Sequence, residues 1–128
     1  MNTTTDFQKQ QIMECYERLR KFVSDMDIED ENVYYDIRNM IEVKKIALPT
    51  AVYKAMMNFM DQVVEPYVFE DTTEIFSEEE AKRNEKGIVE IKSEQAFQKL
   101  MVRFMEKLSE LDAKIETFAE SELKPYLE

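Results

Sequence analysis

Five carboxylates crowd seven consecutive positions of the chain: Asp25, Asp27, Glu29, Asp30 and Glu31. Alternating acids between two helical stretches are the donor pattern of a calcium loop. Counted from Asp25, the sixth position of such a loop is a turning Gly and the twelfth a bidentate Glu. Here those positions hold Asp30 and Asp36. The acid count fits and the geometry does not. The stretch reads as a solvated acidic connection, and no metal or other cofactor is expected.

The same acids belong to a longer stretch, 24–37, that contains no Lys or Arg. A second base-free stretch, 61–81, carries Glu70, Asp71, Glu74, Glu78 and Glu79 among its acids. Brought together, the two would form a negative face able to hold a basic protein surface or to imitate phosphates. Partner binding is therefore assigned to Asp25, Asp27, Glu29, Asp30, Glu31, Glu70, Asp71, Glu74, Glu78 and Glu79. The plainer reading is a pair of ordinary solvated faces.

Other chemistries fall away. The chain has no histidine, which excludes Ser–His–Asp and Cys–His catalysis and zinc held by Cys and His. The single cysteine, Cys15, cannot form an internal disulfide and reads as a small hydrophobe beside an apolar stripe. No acid occupies an expected core position, where burial would tune it for acid–base work. The chain is not expected to be an enzyme. Its net charge of −11 repels nucleic acid and anionic membrane. No apolar run is long enough to span a membrane, and the polar start 1–6 does not read as a signal peptide, so none is expected. A cytoplasmic location is expected.

The elements that must carry these acids are helical. Apolar residues at Phe97, Met101, Phe104, Leu108, Leu111, Ile115 and Phe118 are spaced 4, 3, 4, 3, 4, 3, which only an α-helix gathers onto one face. Ile12, Tyr16, Leu19, Val23 and Met26 repeat that period. The whole predicts an all-α, antiparallel bundle of about four helices in a single domain, near 6–26, 31–45, 49–65 and 93–124. Pro66 and Pro125 are expected to end the third and fourth helices. Ser93 is expected to cap the long C-terminal helix.

Residues 66–92 are expected to form an irregular insertion. In it, 67–69 would pair with 88–92 as a short β-ribbon. Ser77 would start a short helix over 78–86, with Gly87 as its left-handed C-terminal residue. No internal repeat is evident.

The first half of the long helix is apolar over a wide arc, since Leu100, Val102 and Met105 join the stripe. It should be surrounded by other helices. The narrower second half should lie against one neighbour, either the first helix or a second copy of the chain. In the second case Leu111, Ile115 and Phe118 would form a homodimer seam.

These features point to a small interaction protein that inhibits or regulates a basic protein partner, in the manner of an immunity protein or a nucleic-acid mimic. A homo-oligomeric structural subunit is the alternative.

Overall fold

A computed structural model describes residues 3–71, 81–83, 85–87 and 89–128. Helix α1 covers Asp6–Ser24. Its N-cap is Thr5, whose hydroxyl accepts from the Gln8 N–H while the Gln8 side chain accepts from the Thr5 N–H. That reciprocal pair satisfies two backbone donors the helix cannot. Helix α2 covers Glu31–Val43, and a 3₁₀ turn at Lys45–Ala47 leads into α3, Thr50–Phe59. After a π turn, Met60–Val64, comes α4, Glu65–Val68. The long helix α5 covers Glu94–Phe118 and, after a second π turn at Ala119–Leu123, α6 covers Lys124–Leu127. The all-α fold class and the long C-terminal helix are as expected. Ser93 does start α5, its hydroxyl accepting from the Ala96 N–H at 3.1 Å.

The chain falls into two units, Met1–Phe69 with Leu108–Glu128, and Glu70–Lys107. The first unit is the helical bundle. Its core takes Ile12, Cys15, Leu19 and Phe22 from α1, Ile37 and Ile41 from α2, Val52 and Met56 from α3, and Leu111 and Ile115 from α5. Each fully buried side chain of this size contributes about 1.5–3 kcal/mol. Tyr34 is also buried, and its hydroxyl donates to the Met60 carbonyl. Burial, with the charges of Glu65 and Asp61, pushes its pKa up to about 12, so the phenol stays a donor. Across the bundle, Arg38 pairs with Asp61 at 3.0 Å and Lys44 with Glu14 at 2.6 Å. Glu116 receives both the Tyr16 hydroxyl and Arg20.

Both prolines correct the sequence reading. Neither Pro66 nor Pro125 stops its helix. Each stands at the second residue of a short α segment that follows a π turn. A proline removes one N–H and its ring collides with the carbonyl four residues back. The π turn takes up that clash by adding a residue to the turn. Its closing bonds run five residues back, from the Glu65 N–H to the Met60 carbonyl and from the Lys124 N–H to the Ala119 carbonyl. Residues 66–68, expected to be irregular, are consequently helical.

The second unit holds strand β1, Ala81–Arg83, strand β2, Val89–Ile91, and the first part of α5. The strands pair antiparallel, with Ala81 opposite Ile91 and Arg83 opposite Val89. The ribbon's partner is therefore 81–83 and not 67–69, which lie in and just after α4. The helix expected over 78–86 gives way to a strand at 81–83, while its start at 78–80 and the Ser77 cap lie outside the described residues. Gly87 is left-handed, φ +79°, as expected, but it serves the connection between two strands.

The first half of α5 departs from the expected burial. The second half packs within the chain, with Glu116 bonded to Tyr16 and Arg20 of the first helix, as one of its two alternatives had it. Phe97, Met101, Val102 and Met105, in the wide apolar half, are exposed. Leu111 and Ile115, in the narrow half, have no accessible surface and Phe118 has 8 %. Leu111, Ile115 and Phe118 are thus core of the first unit and form no open seam for a second copy. The physical reason is partner supply. The second unit has no other helix among its described residues, whereas the first packs α5 among several.

Candidate interaction surface

The acids at 25–31 sit on a tightly built connection between α1 and α2. Helix α1 ends with the Asp27 N–H bonded to the Phe22 carbonyl and the Met26 N–H to the Val23 carbonyl, both at 3.0 Å. This is the two-bond closure that usually places glycine at its left-handed residue. Here that residue is Met26, with φ 61°. Two residues on, Ile28 is fully buried and pins the connection to the bundle. The Asp30 N–H then bonds to the Asp27 carbonyl at 2.9 Å.

The five predicted residues of this stretch do different things. The Asp30 carboxylate accepts from the Asn32 and Val33 N–H groups at 2.9 and 3.3 Å. It is the N-cap of α2 and is occupied in folding. Asp27 is half-buried. Asp25 caps the end of α1, with the Lys21 ammonium 4.0 Å away. Asp25, Glu29 and Glu31 are exposed, and so is Met26, at 58 %. The connection therefore exposes three carboxylates and one apolar side chain within seven residues, and buried Ile28 ties its backbone to the core.

The second acidic stretch divides. Glu70 is turned inward within the second unit. Its carboxylate accepts from Arg103 at 3.0 and 2.5 Å, and the Lys107 ammonium lies 3.7 Å away. Lys107 is itself only 1 % exposed. The two bonds from Arg103, with the nearby ammonium, hold the Glu70 carboxyl below the usual range. Its charge is met by Arg103 and Lys107, unlike those of the exposed acids at 25–31. Asp71 is exposed. Glu74, Glu78 and Glu79 lie outside the described residues.

Sequence reasoning missed the Glu70 cluster. The signal available was Arg103 and Lys107 four apart on one helix, with an acid at the other end of the excursion. It also missed Met26, counted as part of the α1 stripe. Its position one residue past a C-cap could have been read only from the bonds that end the helix.

The remaining chemistry is sparse. Cys15 is buried, and desolvation pushes its thiol up to about 11, which makes it a poor nucleophile. Among the described residues, no group of three or more Asp, Glu or Cys is placed to hold a metal ion. No helix among them is long and apolar enough to cross a membrane. Two shallow grooves of about 360 and 220 Å³ flank the contact between Phe59 and Phe118 in the first unit. No protein-family model matches the chain, and no curated protein or solved structure matches it.

Proposed function

We propose that the chain is a small cytoplasmic interaction module, not an enzyme, that binds a basic protein surface through the connection at 25–31. The observation that carries this reading is that Asp25, Glu29 and Glu31 are exposed on the same short connection as exposed Met26, with its backbone anchored by Ile28. Carboxylates at a rim steer a cationic partner, and an apolar side chain at the centre supplies what desolvation can add. A left-handed non-glycine residue is strained by about 1–2 kcal/mol, and methionine there places a side chain where glycine would place none. Binding of this kind would inhibit or regulate the partner by covering it.

The test is capture on the immobilised chain at low and high salt, run beside the triple variant Asp25→Asn, Glu29→Gln, Glu31→Gln. Asp30 is left intact because it caps α2. A basic protein held by the parent, released by salt and lost in a variant with an unchanged melt supports the reading. Equal capture by parent and variant refutes it.

A second reading, self-association, now has a different surface. Phe97, Met101, Val102 and Met105 are exposed on α5, whereas the seam first expected is core. Sedimentation that gives one mass over a hundredfold range of concentration would remove it.

A further inference from the structure

We infer that the first unit is built on an internal duplication: two copies of a helix–π-turn–proline module cross about a local two-fold axis through the contact of Phe59 with Phe118. Adding 59 to a residue number of the first copy gives its counterpart in the second. The first copy runs Phe59, π turn Met60–Val64, then Glu65–Val68 with Pro66 and Tyr67. The second runs Phe118, π turn Ala119–Leu123, then Lys124–Leu127 with Pro125 and Tyr126. Both π turns have five residues and both following segments have four. Phe, Pro and Tyr are identical in the two, and Asp61 and Val64 correspond in sequence to the like residues Glu120 and Leu123. Upstream, the buried positions coincide: Val52 with Leu111, Met56 with Ile115, Phe59 with Phe118.

The axis follows from what flanks the crossing. The rings of Phe59 and Phe118 stack with centroids 4.4 Å apart and planes 22° apart. One groove beside them is lined by Ala55, Asn58, Phe59, Val63, Phe118 and Glu122. Exchanging the copies turns that set into Lys114, Thr117, Phe118, Glu122, Phe59 and Val63. All six line the other groove. Such an exchange is what a two-fold rotation produces and a translation does not, although Ala113 and Ser121 line the second groove while their counterparts Lys54 and Gln62 do not line the first. The contact is isologous, the same surface used by both copies.

The copies have kept the crossing and diverged at the groove walls. Ala55 and Asn58 stand where the other copy has Lys114 and Thr117. Lys114 lies over the Tyr67 ring, 4.8 Å from its centroid, which ties the second copy's helix to the tail of the first. Each proline needs its π turn, and each π turn follows a phenylalanine whose ring is held by the other copy. The two turns therefore stand or fall together.

The test transplants one copy onto the other in the full chain. Residues 119–127 are given the sequence of 60–68, by Ala119→Met, Glu120→Asp, Ser121→Gln, Glu122→Val, Leu123→Val, Lys124→Glu and Leu127→Val. A control carries the same residues with the order of the π turn reversed. The chimera is expected to melt cooperatively within about 5 °C of the parent, and the control well below it. In parallel, Phe59→Leu and Phe118→Leu should lower Tm by equal amounts, and the double variant by less than their sum. A chimera that melts with the control, or single losses that differ by more than twofold, overturns the duplication.

Discussion

The two halves of α5 share one apolar spacing and are held in opposite ways. From Leu108 onward the stripe is core, with Leu111 and Ile115 fully enclosed. Before it, Phe97 and Met101 are exposed, and Arg103 and Lys107 pair with Glu70. Periodicity specifies a helix and a face, while burial depends on what the rest of the chain supplies to cover that face. An apolar stripe is a necessary condition for packing and not a sufficient one.

Side-chain truncation in each half should separate the two most widely. Leu111→Ala should lose about 3 kcal/mol in urea unfolding, because it leaves a cavity in a packed core. Met101→Ala, ten residues earlier on the same stripe, should stay within about 0.5 kcal/mol of the parent. Equal losses would mean that both halves are core.

A smaller effect separates the halves by charge. Glu70→Gln should lose about 2 kcal/mol of local stability, as a charge-assisted pair is replaced by a weaker one. Hydrogen exchange should report it as faster amides along 94–107 with those along 108–118 unchanged. The pH dependence has a definite sign. The folded-state pKa of Glu70 lies below its ordinary 4.5. Its contribution is therefore complete above that ordinary value and is lost as pH falls through the lowered one. Apolar burial at Leu111 has no such dependence, so acid should loosen the first half before the second.

The fold class was legible because long stripes of helical period, at 12–26 and 97–118, leave little choice, and because Thr5 and Ser93 are strong starting signals. Pro66 and Pro125 were misread for one reason: a proline forbids an ordinary helical turn, and the widened turn that accommodates it leaves no mark in composition. The repeat was hidden for the same cause, since Phe, Pro and Tyr at matched offsets are three identities among many differences. At the candidate surface, the acids at 25–31 could be found by type alone. Their division into a cap at Asp30, a half-buried Asp27 and exposed Asp25, Glu29 and Glu31 could not, because it depends on where Ile28 enters the core. Glu70 shows the converse, an acid counted toward a face that the fold spends on Arg103 and Lys107.

The most direct test of one stripe with two fates is thiol labelling at native pH. Met101→Cys and Ile115→Cys are made in the otherwise unchanged chain, where Cys15 is buried with its pKa pushed up to about 11 and serves as a silent internal control. The cysteine at 101 should react with a maleimide as fast as the denatured chain does, and the cysteine at 115 only when the bundle opens. Protection at 101, or equal reactivity at both positions, would contradict the account.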